Sequence, residues 1–141
     1  MEASMFAPTY ATGVPIMAGD WVRVLSSGVW HHGIVRRLIA LWGGGLAVEI
    51  ANNVKFVGVT VSDWHVFASG QEILLHRRAP STEVPGILRR VEESMGKTYS
   101  LATQNCEHFA SYAFTGKAES KQIQGVGIVV LGFVALWLLA G

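Results

Sequence analysis

Hydrophobic positions along the chain follow two rhythms. The first is a series of short runs with alternating or continuous apolar residues: Trp21 to Leu25, Val29 to Val35, Leu38 to Trp42, Leu46 to Ile50 and Lys55 to Val61, then Trp64 to Ala68 and Glu72 to Leu75. Turn signals separate them, at Gly19-Asp20, Ser26-Ser27-Gly28, the triple glycine 43–45 and Asn52-Asn53. Runs this short with so little between them predict up to seven antiparallel strands, not βαβ units. From Ser81 or Thr82 the period becomes helical. Val84, Ile87, Leu88, Val91 and Met95 fall on one face, with Arg89, Arg90, Glu92 and Glu93 largely elsewhere. Pro85 suits the first turn and Gly96 the stop. A second helix is expected from about Asn105 to Thr115, ended by Gly116. The fold class is therefore α+β: an antiparallel sheet followed by two helices.

A third pattern has no period. Gly125 to Gly141 is continuously apolar, and no charged residue follows Lys121. As a helix rising about 1.5 Å per residue the run spans roughly 25 Å, enough with Gln122 to Gln124 to cross a bilayer. The expected organisation is an irregular arm over residues 1–18, a domain over 19–116, a polar linker over 117–121 and a C-terminal transmembrane helix over 122–141. This tail accounts for the apolar bias of the whole: half the residues are hydrophobic and 15% charged. The net charge of +1 gives no reason to expect nucleic-acid binding. The N-terminus has neither a basic start nor an apolar run, so no secretory signal is expected.

The single cysteine, Cys106, excludes an internal disulfide and a multi-cysteine metal site. It stands where a loop becomes a helix, and the positive end of a helix dipole favours thiolate over thiol. A thiol nucleophile needs a base, and five histidines are available: His31, His32, His65, His76 and His108. His108, two residues after Cys106, points about 200° away on a helix. His65 and His76 read as structural. His31 and His32 adjoin on one strand and face opposite ways, and spacing alone does not choose between them. Glu49, a carboxylate inside an apolar strand, is the candidate to orient the imidazole.

Asn105-Cys106-Glu107-His108-Phe109 resembles the signature of the lecithin–retinol acyltransferase-like thiol acyltransferases and phospholipases, a branch of the NlpC-type, permuted papain-related superfamily. Gly19-Asp20 before an alternating strand, His31-His32-Gly33-Ile34, a helix ahead of the cysteine helix and an apolar C-terminus match in order, over about residues 18–141. The resemblance implies that Cys106 is the nucleophile and His31 the general base, with histidine preceding cysteine in the chain. It departs from the family where many members carry a second histidine about a dozen residues after the first; Glu49 is aligned there. Val35-Arg36-Arg37 also replaces a short glycine-containing turn.

The activity so implied is phospholipase A or acyl-transfer chemistry on glycerophospholipid esters through a Cys106 acyl-thioester, with no cofactor and no metal. The partners implied are the phospholipid bilayer and its lipids. A single-pass anchor would hold the domain at a membrane, on the cytosolic side. Two other functions are compatible with the residues: a permuted papain-like peptidase or isopeptidase, and a tail-anchored adaptor or membrane-remodelling protein with a vestigial triad.

Overall fold

The computed structural model describes residues 8–97 and 106–117, and of Cys106 the backbone only. The linker and the apolar tail expected over 117–141 lie outside the described residues beyond Lys117. Among the described residues no helix is long and apolar enough to cross a membrane.

Five strands form one antiparallel sheet: β1 (Trp21–Ser26), β2 (Val29–Ala40), β3 (Leu46–Val54), β4 (Gly58–Asp63) and β5 (Leu74–Arg77), in the order β4-β3-β2-β1-β5. Among the described residues three α-helices accompany it: α1 (Trp64–Ala68), α2 (Val84–Ser94) and α3 (Cys106–Thr115). The α+β class and its antiparallel sheet are as expected, and four of the seven runs were counted differently. The second and third are one strand, β2, which crosses the break expected near Arg36 through a bulge between Val35 and Arg37. The sixth, Trp64 to Ala68, is helical. The Asp63 carboxylate accepts from His65 N–H at 3.0 Å and caps it, which outweighs the strand preference of its aromatic and branched residues. The fifth begins only at Gly58, because Lys55 to Val57 turn the chain, with Phe56 at φ +66°. Asn52 and Asn53, expected as a turn, continue β3 instead.

Alternation along the strands gives the sheet an apolar layer on each face. On one side Val22, Val24, Val35, Val48 and Ile50 pack with Phe67 and Ala68 of α1 and with Tyr10 and Ile16 of the N-terminal arm. On the other, Trp21, Ile34, Ala51 and Val59 meet Ile87 and Val91 of α2 and Phe109, Ala110 and Ala113 of α3. The first turn of α2 differs from the reading of Ser81 or Thr82 as a cap. A 3₁₀ turn over Ser81–Glu83 precedes it, and no side chain caps the helix. Arg90 ties α2 to α3 by donating from Nε to the Ala113 carbonyl at 2.8 Å, satisfying a carbonyl at the end of that helix.

The arm is fastened by Asp20. This carboxylate is 1% exposed and accepts from Tyr10 Oη at 2.6 Å, Met17 N–H at 3.0 Å and the Arg78 guanidinium at 2.8 and 2.9 Å. Its two oxygens thus join the arm, the entrance to β1 and the segment after β5.

Candidate active site

His31 and His32 leave β2 on opposite faces of the sheet. His31 lies on the α1 side, its ring centroid 5.0 Å from that of Phe67. Gly33 makes this approach possible: a Cβ there would stand 2.5 Å from Ile50 Cγ2 and 2.9 Å from Phe67 Cε2, so no other residue leaves the Phe67 ring its place.

The ring of His31 is held by Asn52, with Nε2 and Oδ1 3.0 Å apart. The asparagine is 2% exposed, and its amide nitrogen donates to the Ile50 carbonyl at 3.2 Å and to Ser62 Oγ at 2.9 Å. A carbonyl oxygen only accepts, so the amide must turn its nitrogen toward Ile50 and its oxygen toward His31. The proton of the neutral imidazole therefore sits on Nε2, and Nδ1 carries the lone pair. Burial lowers the pKa of His31, against a smaller opposing effect from the Asn52 bond. Before it takes a thiol proton, the ring thus favours its neutral, proton-accepting form.

His32 is built for another purpose. The Trp21 indole N–H donates to its Nδ1 at 2.9 Å, so the acceptor nitrogen is already used. Its ring lies 5.7 Å from those of Trp21 and His76. Burial, then the neighbouring charges of His76, Arg23 and His31, push its pKa down to about 4. A buried imidazole that spends its lone pair on an indole works as a core hydrogen-bond acceptor.

Glu49 is not beside either histidine. Its carboxylate takes Arg37 Nε at 2.8 Å and Arg36 Nη1 at 3.1 Å, and Arg36 Nε continues to Glu92 of α2 at 2.6 Å. The Arg37 bonds chiefly hold its pKa below the ordinary carboxylate value. Register explains the departure from expectation. The β2–β3 hairpin is long, so Glu49 pairs with Arg37 and Asn52 with Gly33. Positions 49 and 52 also point to opposite faces, and only 52 shares the face of His31. The residue that orients His31 was thus read in the sequence as half of a turn. Its signal was an asparagine two residues beyond the last strand residue expected, continuing the even-numbered core positions 48 and 50.

Of the remaining histidines, His65 donates its backbone N–H to the α1 cap, His76 stands edge-on to Trp21 at 4.6 Å, and His108 lies within α3, its pKa lowered by burial. Cys106 is the first residue of α3, with Glu107 in the same first turn. The body of α3 packs on the face opposite His31; the Cys106 side chain is outside the described atoms. Among the described residues no group of three or more histidines, cysteines or carboxylates could hold a metal ion.

A family model described as lecithin retinol acyltransferase matches residues 42–119, more than half of the chain. The match contains Asn52 and Cys106 and begins after His31. No curated protein matches the chain.

Proposed function

The chain belongs to the lecithin retinol acyltransferase family, and from that premise we propose that it is a cysteine-dependent phospholipase A and acyltransferase acting on glycerophospholipid esters. Cys106 is the nucleophile, His31 the general base and acid, and Asn52, in place of Glu49, the residue that orients the imidazole. The observation that carries this reading is the His31–Asn52 pair. It fixes the proton on Nε2 and leaves Nδ1 to accept one, the division of labour that a cysteine–histidine–asparagine triad requires.

The body of α3 lies on the other face of the sheet, so this reading requires the start of that helix to bring Cys106 to His31 at the sheet's end. His31 Nδ1 then takes the thiol proton, and the Cys106 thiolate attacks the ester carbonyl. Negative charge on the carbonyl oxygen is met by backbone N–H groups at the start of α3, where the helix dipole adds to them. As the tetrahedral species collapses, the lysophospholipid alkoxide leaves with the proton from Nδ1, and an acyl-thioester remains. Water, deprotonated by the same nitrogen, releases a fatty acid and restores the thiol; an amine or alcohol in its place accepts the acyl group. Asn52 Oδ1 stabilises the imidazolium at both stages. The apolar run over 122–141 would hold the domain at the surface where such esters are concentrated.

Intact mass after incubation with phospholipid vesicles tests this function. Acyl-sized additions should appear on the wild-type chain and be absent from Cys106→Ala, together with released lysophospholipid. Cleavage of peptide or isopeptide substrates without any acyl adduct would replace this reading with the peptidase. Membrane disruption that persists in Cys106→Ala, again without an adduct, would replace it with the non-enzymatic adaptor.

A further inference from the structure

Two neighbouring turns at one end of the sheet present apolar side chains to solvent. β1 and β2 join at Ser27-Gly28, and β3 and β4 at residues 55–57; the antiparallel pairing brings both turns to the end where β2 begins and His31 stands. Phe56 is 90% exposed there, Val57 58%, Val29 57%, and Leu25 is exposed beside Val29. The backbone holds Phe56 outward in a left-handed conformation that side chains seldom adopt, in a turn closed by Val57 N–H to the Val54 carbonyl at 3.0 Å.

Two basic side chains stand over aromatic rings at this rim. Lys55 Nζ lies 5.2 Å from the centre of the Phe56 ring, and the Arg23 guanidinium 4.1 Å from that of Trp30. Residues 23–31 and 53–60 contain no acidic side chain. A second apolar tip, made by Leu41, Trp42 and Leu46, occupies the opposite end of β2 and β3. Its neighbouring arginines are occupied by Glu49 and Glu92, and it is remote from His31. The two tips cannot meet one flat surface together.

We propose that the rim of Leu25, Val29, Phe56 and Val57, flanked by Lys55 and Arg23, is the surface by which the domain docks on an anionic phospholipid bilayer. The apolar tips enter the acyl boundary while the ammonium and guanidinium groups remain at phosphate level, each basic group meeting opposite charge. Docking by this end turns the His31 end of the sheet toward the lipid. The inference deepens the lipid-acyl reading and rests on it for its purpose, although the surface itself requires no turnover.

The test uses the full chain with Cys106→Ser, so that an introduced cysteine is the sole thiol, and an environment-sensitive fluorophore attached through either Phe56→Cys or Trp42→Cys. With phosphatidylcholine vesicles containing phosphatidylserine, emission from position 56 should shift to the blue and brighten severalfold, and less so without phosphatidylserine. Position 42 should remain water-like. A shift at 42 with none at 56, or no shift at either, overturns the proposal. Hydrolysis of vesicle lipid by the unlabelled wild-type chain separates the two readings. Insertion at 56 without hydrolysis retains the docking surface and removes the chemistry. Hydrolysis with a water-exposed position 56 retains the chemistry and overturns the surface.

Discussion

His31→Ala should lower phospholipid turnover about 10³-fold, the middle of the range for loss of a general base. His32→Gln, which keeps an acceptor for the Trp21 indole, should stay within about threefold of wild type, less than the tenfold that 1.4 kcal/mol would produce. The contrast between adjacent residues follows from their hydrogen bonds. His31 donates from Nε2 to Asn52 and retains a lone pair on Nδ1, whereas the lone pair of His32 is taken by Trp21. Asn52→Ala should fall between them, with a loss of about 10- to 100-fold, the worth of a hydrogen bond to a charged imidazolium. Steady-state turnover on vesicles and on dispersed short-chain phospholipid measures all three. The pattern separates orientation from bulk stability, because Asn52→Ala should lower kcat far more than it raises KM.

Asp20→Ala should destabilise the domain by about 3 kcal/mol, the low end of the cost of breaking a buried ion pair, since Arg78 is partly exposed. The substitution strips the acceptor from Tyr10 Oη, Met17 N–H and both guanidinium contacts, and so loosens the arm from the sheet. Urea unfolding should show a midpoint lower by about 2 M at the slopes usual for a domain of this size. Arg78→Ala in the same background should cost little more, because both substitutions act on one cluster. Independent, additive losses would mean that Asp20 acts through Tyr10 and Met17 alone.

The strand and helix content was legible where residues decide locally. Alternation from Trp21 to Leu25, the Ser27-Gly28 hairpin turn, and the apolar stripe of α2 are each set by neighbours in sequence. The misread elements turned on one side-chain cap and on pairing with a strand further along the chain. A carboxylate cap on His65 made Trp64–Ala68 a helix, and a bulge beside Arg36 carried β2 through an expected break. The site divides in the same way. Cys106 was marked by its flanking residues and by its place at a helix start. The orienting residue depended on hairpin register: matching the family's second histidine to a position in the following strand arrived at Glu49, on the wrong face. The actual pairing sets Asn52 opposite Gly33. Gly33 itself, read only as part of a motif, proves to clear the space in which Phe67 lies against His31.

The central claim is that the Cys106 thiol is activated by His31, and the pH dependence of Cys106 alkylation tests it most directly. In the wild-type chain the rate of reaction with iodoacetamide should already be high below neutrality, because a thiol beside a histidine ionises at about 3.5–7.5. His31→Ala should return it to a single titration near the free thiol value of about 8.5, while His32→Gln keeps the wild-type profile. An ordinary thiol titration in the wild type, or a profile lost in His32→Gln and kept in His31→Ala, would contradict the account.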